Sequence, residues 1–186
     1  MPYRIAIVFC LILITGCASK IPTNTQSVSV ASDVNLSLSM PQMSQLTSLK
    51  ESQQQLITFK SNNHNRSILV NTEYDLSGIK MVAMSPQGIP LFSLNFIKEQ
   101  QIQLQRYIPL DDLRPEYIMA DFQLVHWPVE LLNKHLNGGK IEEKHNGNER
   151  VIIQDSKTVI RIKYNKHHIN FEHLERGYTF TITPIK

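Results

Sequence analysis

The sequence predicts a mainly β fold with a short helical insert: a curled antiparallel sheet, an incomplete β-barrel, with two helices over its concave face. Three observations lead there. From Gln53 onward, apolar residues recur at every second position through a series of short runs. Turns rich in Asn, Asp, Gly and Pro separate the runs, and connections that short make antiparallel neighbours. The alternation breaks once, between Asp111 and Gly139, where apolar residues take helical spacing. An antiparallel sheet of this size must curl or split. Curling around the helices is the economical solution, and a two-sheet sandwich is the alternative.

The elements follow in order. Leu56–Lys60, Ser67–Tyr74, Lys80–Met84, Pro90–Phe96 and Ile102–Tyr107 read as five strands. Ser85-Pro86-Gln87-Gly88 between the third and fourth has proline and glycine at favoured turn positions. Pro115 suits the start of a first helix, in which Tyr117, Ile118, Phe122, Leu124 and Val125 recur at helical spacing. Trp127-Pro128 interrupts it. A second helix carries Leu131, Leu132 and Leu136 on one face and stops at Asn137-Gly138-Gly139. Strands return at Ile141–Lys144, Arg150–Gln154, Val159–Tyr164, His168–Leu174 and Tyr178–Thr183, with Asn146-Gly147-Asn148 as a hairpin turn.

The N-terminal part has a different character. Arg4 precedes an apolar run, Ile5 to Ile14, too short for a stable bilayer anchor, which needs about 20 residues. Ile14-Thr15-Gly16-Cys17 follows as a lipobox: a branched apolar residue, two small residues, then a thiol free to accept a diacylglyceryl group. Residues 1–16 are expected to be a signal peptide and Cys17 the lipidated mature N-terminus, carrying palmitate-type acyl chains. Several such chains anchor firmly, at about 0.8 kcal/mol per buried methylene. Ala18, rather than Asp, after the cysteine favours the outer membrane, with the domain facing the periplasm. Residues 17–52 are rich in Ser, Thr, Gln and Asn and read as a polar tether. Val34–Ser39 could form a weak strand ended by Pro41, and Met43 to Leu49 a short ordered stretch. Residues 53–186 form the β-rich domain.

Composition narrows the function. The formal charge is +3 and falls by one when Arg4 leaves, too mild for a nucleic-acid partner, and no basic stripe with interleaved aromatics is present. Cys10 and Cys17 are the two cysteines, so the domain has neither a disulfide nor a free thiol nucleophile. No Gly-x-Ser-x-Gly, His-Glu-x-x-His or phosphate-cradling loop occurs. His167, His168 and His173 cannot converge on one metal, because neighbours in a strand face opposite ways. Asp111 and Asp112 have a simple role as charges at a helix start. The sequence thus predicts no enzyme, no metal and no cofactor.

Ser85-Pro86-Gln87-Gly88-Ile89-Pro90-Leu91-Phe92, the run Ala120-Asp121-Phe122-Gln123-Leu124-Val125-His126-Trp127-Pro128 and Gly177-Tyr178-Thr179-Phe180-Thr181-Ile182 resemble a family of small proteobacterial outer-membrane lipoproteins of unknown function. Genes of that family often lie beside genes for aryl-polyene synthesis. The resemblance covers most of residues 50–186 and brings no catalytic residues with it. The layout is also similar, remotely, to the lipoprotein carriers LolA and LolB, incomplete barrels whose apolar cavity holds acyl chains.

Two functions remain open at this point. In the first, an outer-membrane lipoprotein binds or hands on an apolar, acyl or polyene-like molecule in the cell envelope. The expected cavity and lid residues are Phe92, Leu94, Phe96, Phe122, Trp127, Leu131 and Leu132, with Ile160, Ile162, Phe180 and Ile182 also presented by the sheet. In the second, the domain is a structural adaptor that docks an envelope protein and takes no ligand. A contiguous apolar cavity under the helices favours the first; a filled core with an exposed apolar patch favours the second. Trp127 is expected either as a core anchor or as a lid. Changing Cys17 to Ser should leave an uncleaved or soluble form, visible by fractionation and mass spectrometry. Normal processing of that variant would rule out the lipobox.

Overall fold

The computed structural model describes residues 26–41, 51–61, 64–97, 101–111 and 113–185. The leader, Cys17 and the stretch from Met43 to Leu49 lie outside them.

The N-terminal hairpin comprises β1 (Ser27–Ala31) and β2 (Val34–Ser37). The first meander is β3 (Ser52–Ser61), β4 (His64–Tyr74), β5 (Gly78–Met84), β6 (Pro90–Ile97) and β7 (Ile102–Arg106). The insert is α1 (Pro115–His126) and α2 (Val129–His135), followed by the two-residue β8 (Leu136–Asn137). The second meander is β9 (Lys140–Lys144), β10 (Glu149–Gln154), β11 (Lys157–Tyr164), β12 (Ile169–His173) and β13 (Tyr178–Pro184). The two meanders fuse where β13 pairs antiparallel with β3, Phe180 opposite Phe59 and Ile182 opposite Ile57. The result is one ten-stranded antiparallel sheet in the order β7-β6-β5-β4-β3-β13-β12-β11-β10-β9, not closed into a barrel. That continuity excludes the two-sheet sandwich. The edges β7 and β9 are joined only through the helical insert, so α1 and α2 have to cross the sheet.

Strand alternation decides what lies inside. Ile79, Met81 and Ala83 on β5, Leu94 and Phe96 on β6, Ile160 and Ile162 on β11, and Phe171 on β12 are all buried. Each has the parity that faces α1, as the period of two requires. Helix α1 is apolar on both sides. Met119, Ala120, Gln123 and Leu124 are buried on one, while Ile118, Phe122 and Val125 lie on the other. An all-round apolar helix needs material on each side.

The N-terminal hairpin supplies that material on one side. This overturns the expected tether for residues 26–41. Val28, Val30, Val34, Leu36 and Leu38 are at most 3% exposed. Six side chains of the rest of the domain hold the segment. His173 meets the Val30 carbonyl at 2.7 Å, Arg176 donates to Ser29 at 2.7 Å, and Glu175 accepts from the Ser32 hydroxyl at 2.7 Å. Gln123 accepts from Ser39 N–H at 3.2 Å, Trp127 donates to the Ser39 carbonyl at 3.1 Å, and Tyr74 to that of Pro41 at 3.1 Å. Strand β2 also pairs with β8. Gly138, at φ +81°, lies so close to the Asp33 carbonyl oxygen that a methyl there would overlap it. The low charge and high Ser and Asn content of this stretch imitate a linker. The alternation of Val28, Val30, Val34, Leu36 and Leu38 is the stronger signal, because each buried aliphatic side chain contributes about 1.5–3 kcal/mol.

Leu36→Ala should therefore destabilise the domain by about 3 kcal/mol, measured by urea denaturation. A tether would show no change, so an unaltered midpoint would contradict the packing of the hairpin.

Candidate functional site

Helix α1 divides the interior. On the hairpin side the core is filled. On the other side a cavity of about 990 Å3 opens between α1 and strands β3, β4 and β13. Its floor is a patch of aliphatic and aromatic side chains. Ile57 stands between Ile68 and Ile182 in neighbouring strands, and Phe59 stands opposite Phe180. Phe180 in turn stacks on Phe171 at 4.4 Å and 9°, and Tyr178 on Phe59 at 5.6 Å. Its roof is the α1 face bearing Tyr117, Ile118, Asp121, Phe122 and Val125, with Leu110 and Leu113 from the preceding loop. Close-packed interiors do not keep voids of this size dry and empty. The volume lies at the upper end of the roughly 300–1,000 Å3 typical of small-molecule sites.

Of the residues expected to form the cavity, Phe92 and Phe122 line it, and so do Phe180 and Ile182. Leu94, Phe96, Trp127 and Leu132 do not: they are at most 1% exposed, within the filled core. Leu131 is half-buried and packs against that core away from the cavity. Ile160 and Ile162 are likewise fully buried. The reason is again the hairpin, which occupies the part of the concave face that these residues present. Trp127 is the core anchor rather than a lid. Its indole donates to Ser39, and its ring meets Phe122 edge-on at 5.4 Å.

The position of α1 is set by Arg150. This residue has the inward parity of β10 and is 6% exposed. One guanidinium nitrogen donates to the Leu124 carbonyl at 2.6 Å and to that of Trp127 at 3.0 Å. The other meets Glu143 at 3.1 Å. Tyr164 donates to the Val125 carbonyl at 2.8 Å. The orphan carbonyls at the helix end are thus satisfied by a cation, which also suits the negative end of the helix dipole. An arginine at an inward strand position is a visible sequence signal, because buried charges need partners.

Polar groups sit at defined places in the cavity wall. Tyr178 donates to Asp121 at 2.9 Å, and the Arg176 guanidinium lies over the Tyr117 ring at 4.7 Å. Burial pushes the Asp121 carboxyl up to about 7, against the opposing effects of the Tyr178 hydrogen bond and the Arg176 charge. Its oxygen partner raises Tyr178 further than burial alone does. His126, at the far end of α1, is pushed down to about 4 by burial and by Arg150. Its Nε2 has no partner among the described residues. Arg66 and Arg114, both exposed, add two further charges to the lining, and Gln55, Ser67, Thr72 and Ser85 are further uncharged polar members. In the sequence Asp121 stands out only as one of a cluster of carboxylates with Asp111, Asp112 and Glu116, and Arg66, Arg114, Arg150 and Arg176 belong to no recognisable catalytic spacing.

His168 sits 3.3 Å from the Asn165 amide, whereas His173 turns inward to Val30. A second depression of about 520 Å3, lined by His145, Asn148, Glu149 and Lys163 among others, is polar. Its carboxylate is already held by His145 at 3.2 Å and Arg161 at 3.3 Å.

The described residues form an open antiparallel sheet crossed by a helix, with an apolar cavity on one side of that helix. The chain belongs to the family described as "Protein of unknown function (DUF3261)", which matches residues 52–186. No curated protein matches it. The matched segment begins at β3, so the hairpin that fills half of the interior comes from outside it.

The opposed shifts of Asp121 and His126 fix a pH dependence. The folded protein keeps the Asp121 proton where the unfolded chain has lost it, so this contribution is greatest in acid and is lost as pH rises through about 7. His126 is neutral in the fold where the unfolded chain binds a proton, so its contribution is lost as pH falls toward about 4. Between those values the two slopes oppose each other. Asp121→Asn keeps the acceptor for Tyr178 and removes the first slope. Its stability relative to the parent should rise between pH 5 and pH 8 by on the order of 2 kcal/mol, read from denaturation curves. Parallel pH profiles for the two proteins would contradict the raised Asp121.

Proposed function

We propose that the protein is a lipid-anchored envelope lipoprotein, attached to the outer membrane through Cys17, that binds an apolar acyl or polyene-like ligand. The observation that carries this reading is the cavity between α1 and strands β3, β4 and β13, about 990 Å3 and walled mainly by Ile57, Phe59, Ile68, Leu113, Phe122 and Phe180. Removing apolar ligand surface from water there contributes about 25 cal/mol per Å2. The lipobox at Ile14–Cys17 supports the anchoring. The half-buried state of Ile57, Ile68 and Phe180 supports a cavity open to ligand, since a core would bury them fully. The ligand would touch the protein at Phe92 and Phe122 but not at the other five residues first expected. The adaptor alternative called for a filled core, and one side of α1 is unfilled.

Titration of a fluorescent polyene fatty acid into the folded domain should give saturable binding. Trp127 is a second-hand reporter, separated from the cavity by Phe122, so probe emission is the readout of choice. Ile68→Glu places a charge on a half-buried wall position without disturbing the filled core. It should weaken binding at least tenfold while leaving the melting temperature within a few degrees. No saturable binding of acyl or polyene probes by folded protein would return the adaptor reading.

A further inference from the structure

The polar lining of the cavity is unevenly distributed. Arg114 stands at the start of α1 and His126 at its end, a separation of about 18 Å at 1.5 Å per residue. Arg66 lies on β4 directly opposite Phe59, and Phe59 stacks on Tyr178. Tyr178 holds Asp121, and Arg176 covers Tyr117 one helical turn before Asp121. Arg66, Arg114 and Arg176 all line the cavity, Arg114 and Arg176 beside the first turn of α1 and Arg66 in the strand position next to Phe59. The wall beyond them, through Ile57, Ile68, Phe122 and Phe180, is apolar as far as the neutral His126.

We propose that the ligand is a single-chain amphiphile with an anionic head, its head held at Arg66, Arg114 and Arg176 and its chain lying along α1 toward His126. This rests on the cavity reading above and adds the head chemistry and the direction of entry. Arginine suits the task because its planar fork matches the oxygens of a carboxylate or phosphate. Arg176 already donates to Ser29 and stacks on Tyr117, so it is fixed in place. Arg66 and Arg114 are exposed and can close over a head from two sides. A carboxylate and a phosphate monoester present the same chemistry to these groups.

Among the described residues that line the cavity, Asp121 is the one carboxyl. The groups that act on it are Tyr178, which donates to it, and the Arg176 guanidinium, while Tyr117, Arg114 and Arg66 are the other titratable or charged groups of the lining toward this end. Its ionisation would oppose an anionic head, so binding tightens as Asp121 becomes protonated.

The test compares a polyene fatty acid, its methyl ester and a monoacyl phosphate, titrated at low salt into the parent domain and into an Arg66→Gln, Arg114→Gln double variant. The acid should bind the parent at least tenfold more tightly than the ester. The double variant should lose that preference while binding the ester as the parent does, which also shows that it is folded. Added salt should weaken the acid and leave the ester unchanged. The tighter of acid and phosphate identifies the head. Equal binding of acid and ester by the parent would overturn the anionic head and leave the cavity reading intact. Failure of all three ligands to bind would overturn both.

Discussion

The guanidinium of Arg150 under the end of α1 is the contact on which the interior depends. A helix that crosses a curled sheet has its final carbonyls deep inside the molecule, where water cannot satisfy them. Arg150 reaches them from the sheet, and Glu143 balances its charge near the surface. The cation would be costly without those partners, and the carbonyls would be costly without the cation. Each makes the other tolerable, and together they fix the height of α1 over the strands. That height leaves a full interior on one side of the helix and a hollow one on the other.

The filled side has a consequence for how the domain is delimited. The family match begins at β3, yet the packing does not. Val34, Leu36 and Leu38 are as deeply buried as Leu94 or Ile160 on the great sheet. A domain cut at residue 52 would expose Met119, Leu124 and Trp127 along one side of α1, an apolar strip of the kind that drives aggregation. Sequence boundaries drawn from the matched region therefore fall inside the folding unit.

Much of the fold was legible before any coordinates. Strand alternation placed the ten strands of the sheet, and Trp127-Pro128 marked the break between the helices. Its parity also picked Phe92, Phe180 and Ile182 as inward-facing. Parity alone could not separate inward residues that meet a cavity from those that meet a hairpin, because both face the same way. Phe92 and Phe96 differ only in which side of α1 lies above them. The hairpin was half visible: Val34–Ser39 reads as a weak strand and β2 is there, but Ser27, Ser29, Asn35 and Ser37 alternate with the aliphatics, and the polar half of the pattern read as linker. Asp121 and Arg150 are visible as charges, but their roles were not legible, for another reason. Each is an isolated charge within an apolar pattern, and its meaning depends on partners distant in sequence, Tyr178 for one and the carbonyls of α1 for the other.

The hairpin also sets a length. On the proposed anchoring at Cys17, only about nine residues separate the lipid from the first packed residues near Gln26, at most ~30 Å of extended chain. A tether running to residue 52 would have allowed roughly four times that reach. The leash is no longer than the hydrocarbon core of a bilayer is thick, about 30 Å. On that proposed anchoring, the domain would be confined to the surface of the leaflet that holds it.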